Sequence, residues 1–406
     1  MPTSLYGCGF DGFSQLSSFL LTNSDNLSRN AKPDQKKRNA KIIWPIQLFL
    51  NLSDSNTVYS NAITWARVVV TIKKDQNSYT SYVTELPESE QCLREQKDQS
   101  QLLNVLDQSI VVAASDKDVV LKESVDAKIN IIFKDDNINA QALQMENITE
   151  GTSMKRIVRG GHKYFFSACD TKLVKLKASK CTSKCTCDEA NLVMRFEIDP
   201  IIMGISIKDV SCGKEHVLLL GENGSIYSYG FGSRGQLGHN SVEGNSSPTL
   251  IEALDGLQMR AIAAGGWHSA AISDIGDLYM WGWNESGQLG ISLVKNERNN
   301  SGSLSVSFDE TVHVQAEPHC IAMNEEFNAV AVACGARHTA FLSDDGKVYV
   351  CGWNDYGQLG LGHLESQRKF TEVEALQKLK CVHIFAGQWN TFFVCEIKLN
   401  DKKVKF

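Results

Sequence analysis

The chain has 406 residues, 42 % of them hydrophobic, and a formal net charge of −6. Such a length can build two or three ordinary domains or one large all-β array. No run approaches the ~18 apolar residues of a membrane span, the opening MPTSLYGCGF lacks a signal-peptide pattern, and the acidic balance argues against a dominant basic surface for nucleic acid. Most of the twelve cysteines stand singly in apolar stretches, as Cys351 and Cys395 do, and read as reduced core thiols of a soluble intracellular protein. Asn26 and Asn147 then carry no glycosylation meaning.

LYGCGFDGFSQL, Leu5 to Leu16, reads as the second half of a unit that recurs complete further on, with Gln15 at a marker position. Residues 22–41 are polar and read as a mobile loop. Their basic run DQKKRNAK suits either a nuclear import signal or a plain exposed loop. From there to residue 155 only scraps of pattern survive. NAITWARVVVTI and SQLLNVLDQSIVVAAS read as strand pairs and DAKINIIF as a further strand, with no glycine between Gly12 and Gly151. IVRGGHKYFFSACDTKLVKL then restores the pattern, with His162 standing 54 residues before His216.

KCTSKCTCD follows, where this unit should carry a glycine-rich turn. Cys181, Cys185 and Cys187 with a fourth ligand would suit zinc, but C-x3-C-x-C lacks the paired knuckle, so a diverged loop is expected and no metal. LVMRFEIDPIIMG, residues 192–204, reads as an outer strand plus connection, and its Arg195, Phe196 and Pro200 are the candidate partner contact.

Three full repeats come next: VSCGKEHVLLLGENGSIYSYGFGSRGQLG, AAGGWHSAAISDIGDLYMWGWNESGQLG and VACGARHTAFLSDDGKVYVCGWNDYGQLG. Their histidines, His216, His268 and His338, and their glutamines, Gln236, Gln288 and Gln358, step by the same 52 and then 70 residues. The longer step holds a polar insert, Val294 to Glu310, itself a candidate binding surface or filler. Period-two alternation around ENGS, DIGD and DDGK predicts two strands joined by a tight hairpin, with further strand such as SPTLIEAL. FAGQWNTFFVCEIK, Phe385 to Lys398, repeats the first half alone, with Asn390 at the histidine position.

Four antiparallel strands per ~52 residues make one propeller blade. Gln15 to Gln236 spans 221 residues, about four periods of 55, so three units lie between them. With the four visible glutamine positions that gives seven. The expected fold is one all-β, seven-bladed β-propeller over 1–406. Residues 1–16 and 381–406 share the closing blade, 17–155 hold diverged blades, and 156–380 hold the recognisable repeats with the insert at 294–310.

The pattern Gly-x-x-His, Asp-Gly, Trp-Gly-x-Asn-x-x-Gly-Gln-Leu-Gly resembles the regulator-of-chromosome-condensation repeat, specifically over 205–406 and the first 16 residues. The resemblance implies a seven-bladed propeller with a split closing blade. It is closest to a small nuclear member, implied to bind a Jumonji-C oxygenase in histone-methylation control and chromosome segregation. By that analogy 192–204 would meet the oxygenase, with Arg195 entering its active site. A residue that recurs in every blade does folding work, so His162, His216, His268 and His338 are read as structural, bonding backbone groups where strand meets turn. Trp267, Trp281, Trp283, Trp353 and Trp389 are read as inter-blade packing. The expected function is a non-enzymatic, monomeric interaction scaffold in the nucleus, without cofactor or sequence-specific nucleic-acid binding. Guanine-nucleotide exchange on a small nuclear GTPase, the founding member's activity, is the alternative.

Overall fold

The computed structural model describes residues 3–10, the strands lying between residues 41 and 202, and residues 203–397 apart from short breaks at 292, 299–303, 310–311 and 323–327. Strands β1 (Thr3–Phe10) and β2 (Lys41–Leu52) open the chain. One sheet holds β3 (Thr57–Ile63), β4 (Arg67–Asp75), β5 (Ser78–Glu85) and β6 (Leu103–Val105); a three-stranded one holds β7 (Ile110–Ala114), β8 (Val119–Glu123) and β9 (Ile129–Phe133). The next is β10 (Ile157–Gly160), β11 (Phe165–Cys169), β12 (Lys172–Lys180) and β13 (Met194–Ile202). It is followed by β14 (Ile207–Cys212), β15 (His216–Gly221), β16 (Ile226–Gly230) and β17 (Asn245–Leu250). Then come β18 (Met259–Ala264), β19 (His268–Ser273) and β20 (Leu278–Trp283), the separate pair β21 (Leu293–Arg298) and β22 (Leu304–Asp309), and β23 (Val314–Cys320), which completes the sheet begun by β18. The last strands are β24 (Ala329–Cys334), β25 (His338–Ser343), β26 (Val348–Gly352) and β27 (Gln367–Glu372), then β28 (Leu379–Ala386) and β29 (Asn390–Ile397).

These antiparallel sheets are the blades of a β-propeller. Each recognisable one runs in chain order from its innermost to its outermost strand. The final sheet departs from that order, with β2–β1–β29–β28 hydrogen-bonded side by side. Thr3 to Gly9 pair residue for residue with Glu396 to Asn390.

Second strands are buried along their whole length: β15, β19 and β25 have no exposed position. A strand between two neighbouring sheets has two apolar faces, so period two splits its side chains between two cores. Val217 and Leu219 pack with Leu173 and Val210, whereas Leu218 and Leu220 pack with Met259, Ile262 and Trp281. Ala270 and Ile272 face Phe341 in turn, and Ala340 and Leu342 face Ile384 and Phe393. The hairpins between second and third strands turn on Gly224, Gly276 and Gly346, at φ of 78°, 99° and 82°. A left-handed turn position excludes most side chains, which is why the glycine recurs.

Three readings from the sequence alone are corrected, and the insert at 294–310 gains a defined hairpin, β21–β22. SQLLNVLDQSIVVAAS is not a strand pair: β6 and β7 belong to different sheets. The strand in SPTLIEAL stops at Leu250 and a short 3₁₀ turn over Glu252–Leu254 buries Leu254. Cys381 and Cys395, directly opposite in β28 and β29, form a disulfide rather than standing as free thiols.

Candidate protein-interaction face

The three repeated histidines are buried, with at most 2 % of their surface exposed. His216 Nε2 lies 2.8 Å from Ser269 Oγ, His268 Nε2 2.9 Å from Thr339 Oγ1, and His338 Nε2 3.0 Å from Thr391 Oγ1. In each case the hydroxyl belongs to the following blade. It donates back to the glutamine carbonyl of the histidine's own blade, to Gln236 at 2.8 Å, Gln288 at 2.7 Å and Gln358 at 2.6 Å. A hydroxyl has one proton, so each imidazole must be the Nε2–H tautomer. The ring bonds a neighbour's hydroxyl, and for His268 and His338 a backbone group of the next blade, at His338 and Asn390, contributes as well.

A second donor from the next blade reaches the same carbonyls: Trp281 Nε1 to Gln236 at 3.0 Å, Cys351 Sγ to Gln288 at 3.4 Å and Cys8 Sγ to Gln358 at 3.4 Å. Each glutamine Oε1 accepts the N–H two residues before it, from Arg234, Ser286 and Tyr356. The glycine three before each histidine leaves room for the ring, since a Cβ on Gly335 would sit 2.0 Å from His338 Cε1. Burial pushes the imidazoles of His216 and His268 down to about 3 and that of His338 to about 4. They are neutral staples.

Strand alternation sorts the connections onto two rims. The links from first to second strand and from third to outermost strand share one rim; the tight hairpins share the other. The first rim carries Lys214, Trp267, Arg337 and Trp389 just after the innermost strands, and Arg234, Trp283, Trp353 and Tyr356 at or just after the ends of the third strands. Lys214 Nζ lies 4.6 Å from the centre of the Trp267 ring, and the Arg234 guanidinium 5.4 Å from that ring and 4.1 Å from Trp283. Arg337 approaches Trp283 at 4.4 Å and Trp353 at 5.9 Å. Trp267 meets Trp283 edge-on at 5.5 Å, and Trp353 meets Trp389 at 4.8 Å and Tyr356 at 5.2 Å. The result is one row of alternating cations and rings across four blades, half-buried except for Trp283 at 5 % and the exposed Lys214. Phe231, 68 % exposed, and Val242, 56 % exposed, stand on the same rim.

Trp281 is fully buried inter-blade packing. Arg195, Phe196 and Pro200 lie in β13, the outermost strand of its sheet, opposite Ser179, Ala178 and Val174. His162, Gln15 and Cys181, Cys185 and Cys187 lie outside the described residues. No group of His, Cys, Asp or Glu among the described residues is placed to hold a metal ion. The hydroxyls and the cations escaped the sequence reading. A signal for the first existed, because Ser269, Thr339 and Thr391 each directly follow the repeat's His or Asn. The cations sit where the repeats vary: Glu215, Trp267, Arg337 and Trp389 occupy one equivalent position.

The regulator of chromosome condensation (RCC1) repeat matches residues 223–272, 276–342 and 345–394, and a second description of the same repeat matches 207–236, 259–288 and 329–358. The second half of the chain is therefore built of these repeats. RCC1 domain-containing protein 1 of Mus musculus is 36 % identical over 213 residues, covering 48 % of this chain and 56 % of the mouse protein. Its Homo sapiens counterpart is 36 % identical over 215 residues, covering 48 % and 57 %. The matched part thus spans little more than half the length of either relative. Prp20p of Saccharomyces cerevisiae, whose crystal structure was described with its binding properties to Gsp1p and histones, superposes with a TM-score of 0.70 at 17 % identity, covering 99 % of this chain and 93 % of that one. At that identity the likeness is one of fold.

Proposed function

From a propeller whose second half consists of RCC1 repeats, we propose a seven-bladed, non-enzymatic scaffold that binds protein partners on the cation–aromatic rim. The three-stranded sheet β7–β9 is taken as a diverged blade; counted with the six four-stranded sheets it makes seven. The partner implied by the family resemblance is a Jumonji-C oxygenase, with the pair acting in the nucleus in histone-methylation control and chromosome segregation. The observation that carries the reading is the row of rings and cations crossing four blades. Aromatic and arginine side chains anchor protein interfaces, whereas the three repeated histidines, His216, His268 and His338, are consumed inside the fold. Arg195 supports a second contact, since an outermost strand offers an unpaired edge.

Affinity capture from a nuclear extract, read by mass spectrometry, tests the reading. A Jumonji-type oxygenase as the main partner is the expected result. Recovery of a small nuclear GTPase, with accelerated nucleotide release when the chain is added, would replace it with the exchange-factor reading. Arg195→Ala is expected to weaken capture and to abolish any modification at that position.

A further inference from the structure

The cation–aromatic row has a composition that selects among protein partners, and this inference rests on the interaction reading above. We infer that Arg234 and Arg337 receive two carboxylates of an extended acidic peptide, at alternate positions of its chain. Both guanidinium groups reach the same ring, Trp283, from the preceding and the following blade, at 4.1 and 4.4 Å from its centre. Their separation is therefore no more than about 8.5 Å. Alternate side chains of an extended strand stand about 6.6 Å apart on one face, a spacing that Asp-x-Glu meets.

The chemistry of the row favours carboxylates. Each guanidinium lies over a ring, and among the described residues no carboxylate forms an ion pair with Arg234, Arg337 or Lys214 and no acceptor takes their side-chain N–H groups. A guanidinium pre-ordered by a ring keeps its planar fork for a bidentate anion, and loses little freedom on binding one. Lys214, on Trp267 one step along the row, adds a third cation in line.

A nucleic acid fits less well. Trp283 is 5 % exposed and already stacked, so no base can lie on it. Glu215, whose Oε2 takes the Trp267 indole proton at 2.9 Å, and the exposed Glu285 and Asp355 flank the row. A continuous phosphate chain would meet those acids, whereas a peptide with carboxylates only at alternate positions passes between them.

The test uses the full chain and a fluorescein-labelled peptide alternating Gly with Asp and Glu, read by anisotropy at low salt. An Asn/Gln peptide of the same length and a single-stranded oligonucleotide serve as comparisons. Saturable binding of the acidic peptide is expected, at least tenfold tighter than that of the neutral one. Arg234→Gln and Arg337→Gln should each weaken it roughly tenfold, and Arg337→Lys should recover only part of the loss because the fork is gone. Unchanged near-ultraviolet circular dichroism would show that the variants keep their packing. Equal affinity for both peptides, tighter binding of the oligonucleotide, or indifference to both glutamine variants would overturn the inference. The nuclear capture separates the two levels. A partner retained by the Arg234→Gln/Arg337→Gln double variant sinks the acidic-peptide assignment and leaves the scaffold standing; peptide binding without any captured partner sinks the scaffold reading.

Discussion

Thr339 shows how one side chain joins two blades. Its hydroxyl takes the His268 proton and gives its own to the Gln288 carbonyl, all three groups being buried. Thr339→Val keeps the shape and removes both bonds, leaving a buried imidazole N–H without a partner. A loss of about 2 kcal/mol is expected in urea unfolding, with a surface control such as Thr371→Val close to neutral. The three imidazoles also tie stability to pH. In the unfolded chain each titrates near 6.5, whereas burial holds the native rings neutral down to about 3 or 4. The native pKa lies below the unfolded one, so this contribution is complete above pH 6.5 and is lost as pH falls toward 4. Each ring accounts for about 1.4 kcal/mol per pH unit in that window. Urea midpoints at pH 7 and pH 5 check this, and their equality would mean that the rings protonate without unfolding.

Among the elements, β28 and β29 carry a cross-link that the other recognisable blades lack among their described residues. Cys381 and Cys395 are 14 residues apart in sequence and almost fully buried. A loop of that size contributes about 3 kcal/mol in the chain-entropy account. In denaturant without reductant both are expected to resist iodoacetamide while the exposed Cys320 is labelled. Added reductant should release them and lower the unfolding midpoint. No sequence pattern marked this pair, because cross-strand opposition depends on register, and the register between β28 and β29 shifts between Cys381 and His383. The hairpins were legible for the opposite reason. Their geometry demands glycine locally, so ENGS, DIGD and DDGK announce the turn without help from tertiary structure.

For the whole molecule, the pairing of β1 with β29 decides whether the last sheet has an open edge. Removing residues 1–10 would expose the hydrogen-bonding edge of β29 and strip Cys8 from the core that holds Phe393 and Leu359. Lower melting temperature and concentration-dependent association are the expected outcomes, by calorimetry and light scattering. The propeller class, the 52-residue unit and the matching half-repeats at residues 5–16 and 385–398 could be read from the chain, because alternation and turn glycines are local requirements that every blade repeats. The first half was less legible. Its strands lack that punctuation, so adjacency in sequence misled where β6 and β7 part into different sheets, and β2 joins the final sheet from a stretch that offered no marker. The sequence by itself determined which residues recur and therefore serve the fold. Only the tertiary structure decided that Arg234, Trp283 and Arg337, drawn from three blades, form one row, since ring and cation meet across blade boundaries that no local pattern encodes.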